Sequence, residues 1–86
     1  MLNVAYINLN TIKRNVKNIK EKLPVGCKFY AVVKADAYGH GAEEVANAIY
    51  GSVDGYCVAL PEEGVLLRRA GIDKEILVLV PAVKSD

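Results

Sequence analysis

A lysine stands where a run of apolar residues ends, and two glycines follow it closely. The apolar run is 29–33, Lys34 comes next, and Gly39 and Gly41 lie in the following stretch. At the end of a buried strand a lysine is flanked by apolar side chains, and loss of hydration lowers the pKa of its amine. A neutral amine attacks carbonyl carbons and forms imines. The pattern predicts a nucleophilic lysine, although a lysine that only extends its charged end into solvent would show the same spacing.

The stretch after the lysine carries groups that could bind an anion. Tyr38 could donate its phenol hydrogen to a phosphate oxygen, and the two glycines precede a predicted helix whose first amides favour negative charge. His40 is the only histidine of the chain. We assign it a structural role in the loop because no carboxylate or nucleophile is placed to orient it. Asp36 is assigned a hydrogen-bonding role rather than a catalytic one.

Composition excludes several classes of function. The chain has 86 residues, a net charge of +1, 52% hydrophobic and 24% charged residues, which is typical of one soluble globular domain at most. So small a net charge attracts neither nucleic acid nor a membrane surface. The longest apolar run, 76–83, is too short to span a bilayer, and the first residues lack the features of a secretory signal. The sequence predicts a cytoplasmic protein without nucleic-acid or membrane partners.

Two cysteines and one charged helix are assigned structural roles. Cys27 and Cys57 belong to no metal-ligand spacing, so we predict two buried thiols and no metal site. The first predicted helix carries five cations, but no aromatic residue lies among them. We therefore interpret that charged surface as solvated rather than as a nucleic-acid site.

Three strands and three helices are predicted from apolar spacing and end signals. The first helix spans 10–23, with Asn10 as its cap and Pro24 after its end; the second begins at Ala42 and ends at Gly51; the third begins at Pro61 and ends at Gly71. The strands are 28–34, 55–60 and 76–80. The apolar positions expected to face the core are Ile12, Val16, Ile19 and Leu23 on the first helix, Ala42, Val45, Ala46 and Ile49 on the second, and Leu66, Leu67 and Ala70 on the third.

Alternating strands and helices predict an α/β fold with a parallel sheet. Three such strands leave a sheet edge open, and an all-parallel sheet needs cover on both faces. An eight-stranded (β/α)8 barrel of the TIM type takes roughly 250 residues. We predict that residues 1–86 form a single partial domain with about the first three strands of such a barrel; a small flavodoxin-like sheet is the alternative. In either fold Lys34 lies at the carboxyl end of its strand, where active sites are found.

The segment Ala31–Gly41 resembles the cofactor-lysine signature of alanine racemases. The resemblance extends along nearly the whole chain: residues 7–9 with the helix after them are similar to the opening strand and first helix of the family, and 59–63, 67–72 and 76–79 are similar to later segments.

This resemblance implies a set of roles. Lys34 would hold pyridoxal 5'-phosphate as an imine and act as the base on the D-amino-acid side of Cα, Tyr38 would contact the cofactor phosphate, and Leu79 would lie near the cofactor. The family interconverts L- and D-alanine for peptidoglycan and works as a homodimer. Its second base belongs to a C-terminal β domain that is absent from this sequence. We therefore expect the 86-residue chain alone to be inactive.

Three other functions are compatible with the same residues. The chain could belong to a racemase for another amino acid such as serine or lysine, because substrate-choosing residues lie elsewhere in the family. It could be a non-catalytic α/β module that assembles through its open sheet edge. A barrel protein that carries pyridoxal phosphate without turnover is the third, although such proteins usually lack the Tyr-Gly-His-Gly sequence found at 38–41.

Overall fold

Helices and strands alternate along the chain. A computed structural model describes residues 9–34 and 41–79. Within them it contains, in chain order, α1 (Leu9–Glu21), β1 (Tyr30–Val32), α2 (Ala42–Ala48), a 3₁₀ helix (Tyr50–Ser52), β2 (Gly55–Val58), α3 (Pro61–Arg69) and β3 (Glu75–Val78). The alternation predicted from the sequence is confirmed from the first helix onward.

The three strands form one parallel sheet in the order β1-β2-β3. Tyr30, Gly55 and Glu75 lie side by side at the first level of the sheet, and Val32, Cys57 and Leu77 lie side by side two residues later. Two hydrogen bonds continue the ladders past the strand ends, from Val33 N to Cys57 O at 2.9 Å and from Leu79 N to Val58 O at 2.8 Å. The predicted parallel sheet is confirmed.

Alternating side chains give the sheet two different faces. One face contributes Val33, Tyr56 and Val58 to the buried core, together with residues of α2 and α3. The other face is called the open face here, and its large apolar side chains are partly in solvent, with Val32 61% exposed. The residues of the open face are Tyr30, Val32 and Lys34 from β1 and its end, Gly55, Cys57 and Ala59 from β2 and its end, and Glu75, Leu77 and Leu79 from β3 and its end.

The helices bury fewer apolar residues than the spacing predicts. All four predicted positions of α2 are buried, as expected. In α1 only Ile12 is buried, and Ile19 is 50% exposed because the second half of that helix extends past the core cluster. In α3 Leu67 is buried, whereas Leu66 is 47% exposed and Ala70 is exposed.

Two residues were predicted from the sequence to mark helix ends, and the structure confirms one of them. Gly71 has φ +93°, and hydrogen bonds from Gly71 N to Arg68 O and from Ile72 N to Leu67 O close α3 in the Schellman pattern. The prediction that Gly71 ends this helix is confirmed. Asn10, predicted as the cap of the first helix, lies inside α1, which already begins at Leu9.

One of the two predicted buried thiols is in fact exposed. Cys57 is buried in β2, but Cys27 is exposed. Cys27 lies in the turn after α1, where its backbone N–H donates to Pro24 O at 3.1 Å, before the chain reaches the sheet. Residues 7–8 of the predicted opening strand lie outside the described residues. None of the described helices is long and apolar enough to span a bilayer.

Tyr56 is expected to make the stability of the fold sensitive to alkaline pH. Its ring is buried, its hydroxyl donates to Ala46 O at 2.6 Å, and burial, with smaller effects of Tyr50 and Asp73, raises its pKa to about 12. Between the usual tyrosine pKa of about 10 and this value, the unfolded chain releases the phenol proton first. The free energy of unfolding therefore falls as pH rises through that window.

Tyr56→Phe should make the free energy of unfolding less dependent on pH between 10 and 12. At neutral pH it should lower that free energy by about 1 kcal/mol, because one buried hydrogen bond is lost. Urea unfolding of both proteins from pH 7 to 12 measures the effect. If the free energy of unfolding fell equally steeply with pH in both proteins above pH 10, the prediction would be contradicted.

Candidate functional site

Lys34 and Leu79 lie at the same level of the open face. Continuing the register two residues past Val32, Cys57 and Leu77 places Lys34, Ala59 and Leu79 side by side at the carboxyl edge of the sheet. Adjacent strands are roughly 4.8 Å apart, so the backbones at Lys34 and Leu79 are about 10 Å apart. Two of the three site residues predicted from the sequence therefore belong to one edge and one face.

The residue between them leaves space above the sheet. Ala59 ends in a single methyl group, so it does not fill the gap between the lysine and the leucine. Below this level lie Val32, Cys57 and Leu77, which form an apolar surface. Ala59 was not among the site residues predicted from the sequence, although the alternation of side chains along the strand places it on the face of Cys57.

Lys34 is exposed, whereas the sequence predicted a lysine enclosed by apolar side chains. Among the described residues no strand pairs with the outer side of β1 and no helix lies on the open face, so none of them covers the amine. Val33, next to it, points the other way and is buried. The apolar run therefore packs one side of the strand end and leaves the amine accessible.

The other predicted groups of this region fall largely outside the described residues. Asp36, Tyr38, Gly39 and His40 belong to the segment 35–40, so their predicted roles stay predictions. Gly41 is described and has φ −66° and ψ 147°, an extended conformation open to every residue. A Cβ at position 41 would lie 2.9 Å from Glu43 Oε2, the end of a flexible side chain that can move away, so the described geometry does not require glycine there.

Glu63 fixes the turn that follows β2. Its Oε1 accepts hydrogen bonds from Ala59 N at 3.0 Å and Leu60 N at 2.8 Å. These bonds hold the backbone of Ala59 at the start of α3. Glu63 is one of two acidic residues in the first turn of α3. A glutamate at the third residue of a helix that begins with proline predicts such hydrogen bonds, in which its carboxylate accepts from backbone N–H groups just before the helix.

A tyrosine crosses the sheet at the opposite end of the open face. The Tyr30 hydroxyl donates to Glu75 Oε1, so the ring passes over Gly55 of the middle strand. A Cβ on Gly55 would lie 2.5 Å from the Tyr30 ring. The hydrogen bond to the carboxylate raises the pKa of Tyr30. This contact ties β1 to β3 beneath the level of Lys34.

Known proteins share both this sequence and this fold. A family model described as the N-terminal domain of alanine racemase matches residues 7–86. The chain belongs to that family. It is 58% identical over 76 residues to an alanine racemase of Streptococcus pyogenes serotype M5 (strain Manfredo), covering 88% of this chain and 21% of the relative.

Solved alanine racemases have the same arrangement of strands and helices. The enzyme of E. faecalis superposes with a TM-score of 0.79 at 43% identity, over 93% of this chain and 21% of the enzyme. The enzyme of Bacillus anthracis, solved with bound L-Ala-P, superposes with a TM-score of 0.76 at 44% identity, over 86% of this chain and 19% of the enzyme. This chain thus spans about a fifth of the length of the relatives it matches.

Membership of the alanine racemase family confirms the barrel interpretation over the flavodoxin-like alternative. The three parallel strands are part of a TIM-type barrel. In such a barrel the strand face without helices points inward, and active sites lie at the carboxyl ends of the strands. Lys34 and Leu79 lie on that face and at that end. In the described residues, no three His, Cys, Asp or Glu side chains gather closely enough to hold a metal ion.

Proposed function

We propose that this chain supplies the cofactor lysine, Lys34, of a pyridoxal-phosphate-dependent alanine racemase. The observation that carries the proposal is the row Lys34, Ala59 and Leu79 on the open face at the carboxyl edge. It places an accessible amine, a small gap and an apolar wall side by side. Family membership makes alanine the expected substrate, and a racemase for another amino acid is the alternative.

The described residues fit a flat, charged cofactor. The methyl group of Ala59 leaves room for an aromatic ring between the two flanking strands, and Leu79, which is 49% exposed, offers apolar contact to it. The Lys34 amine is accessible to the cofactor because the side chain is exposed. Pyridoxal phosphate, when bound, supplies an electron sink that acidifies the Cα–H of an amino acid. Tyr38 would contribute a hydrogen bond to its phosphate.

Lys34 has two tasks in this proposal. Its amine would hold the cofactor covalently. With the amino acid bound in its place, the same amine would take or return the Cα proton on one face of the substrate. Ala59 and Leu79 carry no acid or base, so the row itself offers no group for the opposite face. Because racemisation needs a base on each face, we propose that the 86-residue chain alone does not racemise alanine.

The other lysine beside the sheet is engaged elsewhere. Lys74 Nζ donates to Tyr50 O and, at 2.8 Å, to Val53 O, and it lies 4.1 Å from the centre of the Tyr50 ring. An amine that donates to two carbonyls and faces a ring is a poor nucleophile. Of these two lysines, Lys34 is therefore the one that combines access with an adjoining apolar gap.

Titration with pyridoxal phosphate, followed by borohydride reduction and peptide mapping, tests the proposal. We expect a reduced adduct on Lys34, and at limiting cofactor at least about tenfold less label at each other lysine. Lys34→Ala should remove the absorbance change and the labelled peptide. Lys28→Ala serves as the matched control, because Lys28 is also exposed but precedes β1, at the opposite end of that strand from Lys34.

Two results would count against this function. Label spread evenly over the lysines would show that Lys34 has no special reactivity in this chain. Formation of D-alanine by the purified chain, lost in Lys34→Ala, would contradict the statement that one base is insufficient. A homodimer and a cytoplasmic location follow from the same proposal and are tested by sedimentation and by fractionation of cells.

A further inference from the structure

The carboxylate of Glu63 accepts one hydrogen bond more than helix capping requires. Leu60 stands just before α3 and Glu63 is the third residue of that helix, so the 2.8 Å bond from Leu60 N to Glu63 Oε1 is the usual one of a helix cap. The same oxygen also accepts from Ala59 N at 3.0 Å. Ala59 precedes the cap and belongs to the row with Lys34 and Leu79. Capping therefore explains the first bond but not the second.

The strand register shows which acceptor the Ala59 N–H would otherwise meet. In a parallel ladder the backbone groups of every second residue point to the same neighbouring strand. Cys57 O accepts from Val33 N at 2.9 Å, so the backbone of Cys57 faces β1. The next residue of β2 that faces β1 is Ala59, and the acceptor opposite its N–H is Val33 O. Glu63 takes this donor, which would otherwise continue the ladder beside Lys34.

We propose that Glu63 is a positioning residue for Lys34, in addition to capping α3. By accepting from Ala59 N, its carboxylate holds Ala59 at the start of α3 and keeps it from shifting toward Val33 O. The gap above Ala59 then stays open beside the Lys34 amine. The use of this gap by the cofactor ring rests on the proposed function, whereas the choice of hydrogen-bond partner at Ala59 does not require the cofactor.

Nuclear magnetic resonance of the chain without cofactor tests the choice of partner. The amides of Ala59 and Leu60 should both be protected from hydrogen exchange in the unaltered chain, because both donate to Glu63. Glu63→Gln keeps a side-chain oxygen that accepts hydrogen bonds, so it should retain most of the protection. In Glu63→Ala the Leu60 amide should exchange at least about tenfold faster. A coupling across a hydrogen bond should then appear between Ala59 N and the carbonyl carbon of Val33.

Labelling with pyridoxal phosphate tests the consequence for Lys34. Glu63→Ala should lower the label at Lys34, relative to that at Lys28, by on the order of tenfold, since small displacements within a site have effects of this size or larger. Glu63→Gln should restore most of it.

Two control variants change the same helix start without removing the acceptor. Glu62→Ala is the matched control, because Glu62 is an exposed acid in the same turn of α3. Pro61→Ala should lower the stability of this helix start, because proline favours the first helical position. Both variants should leave the relative label at Lys34 unchanged, which separates positioning from stability.

Three results would overturn the inference. One is the absence, in Glu63→Ala, of any coupling between Ala59 N and the Val33 carbonyl. Another is an unchanged relative label at Lys34 in that variant. The third is an equal loss of label in Pro61→Ala. Label spread evenly over the lysines of the unaltered chain would instead refute the proposed function, and with it the role of Glu63 toward the cofactor, while the partner of Ala59 would still be decided by magnetic resonance.

Discussion

Replacing Leu67 with alanine should lower the free energy of unfolding by about 2–5 kcal/mol, the range for removing a large buried aliphatic side chain. Leu67 has no exposed surface and lies in the core cluster with Tyr56, Val58 and Ile72. A chain of 86 residues buries a limited share of its surface, so such a cavity removes much of the total stability. The midpoint of thermal unfolding should fall by on the order of 10–20 °C, measured by circular dichroism.

The neighbouring leucine gives a matched control. Leu66 is on the same helix and 47% exposed, so Leu66→Ala loses far less buried surface and should cost under about 1 kcal/mol. The two variants have the same composition and the same helix propensity, which isolates burial as the cause. Equal losses from both would show that α3 is held by contacts other than those of Leu67.

Gly55→Ala should destabilise the fold by about 1–3 kcal/mol, the usual cost of adding volume to a packed site. The added Cβ would lie 2.5 Å from the Tyr30 ring and 2.6 Å from Glu75 O. The ring could move, but the carbonyl belongs to the backbone of β3 and cannot move without disturbing the ladder. Denaturant unfolding at neutral pH measures the loss. Close approach of neighbouring atoms, not backbone freedom, is the cause of this loss.

Two further variants separate the causes of this loss. Gly51→Ala is the control, because a Cβ at Gly51 meets no atom within 4 Å. Tyr30→Leu combined with Gly55→Ala removes the clash with the ring but keeps the clash with Glu75 O. The double variant should therefore be more stable than the sum of the single changes predicts, without reaching the stability of Tyr30→Leu alone. Strict additivity would show that the ring does not contact position 55.

The Gly55 contact also matters for the proposed site. Tyr30 and Glu75 join β1 to β3 at the amino end of the open face, while Lys34 and Leu79 occupy its carboxyl end. Strands held in register at one end keep the distance between Lys34 and Leu79 constant at the other. We expect Gly55→Ala to lower the selectivity of labelling at Lys34 under conditions where the variant is still folded. Peptide mapping of the variant, labelled in buffer without denaturant, measures the selectivity.

Local signals predicted the architecture well. The apolar spacing of α2 and the glycine after α3 were both confirmed, because spacing and glycine φ depend on residues close in sequence. The parallel sheet followed from alternating elements, since strands joined by helices have few other ways to pair. Family membership confirmed that this sheet belongs to a TIM-type barrel.

Burial at particular positions was predicted less well. Ile19 was expected in the core and is half exposed, and Cys27 was expected to be buried and lies in an exposed turn. The causes differ: Cys27 lies in the turn between α1 and β1, before the chain reaches the sheet, whereas Ile19 lies on the helix itself. Apolar spacing states which side of a helix faces a neighbour, but it does not state how far along the helix that neighbour extends.

By itself the sequence determined that a lysine follows the end of a β-strand of an α/β protein and that its surroundings resemble those of alanine racemases. Chain connectivity is enough for this, because the strand, the lysine and the following loop are contiguous. Only the tertiary structure decided that Leu79 lies level with Lys34, that Ala59 leaves a gap between them, and that the amine is exposed. These properties depend on the register of three strands distant in sequence, and register is fixed by packing and hydrogen bonds across the sheet.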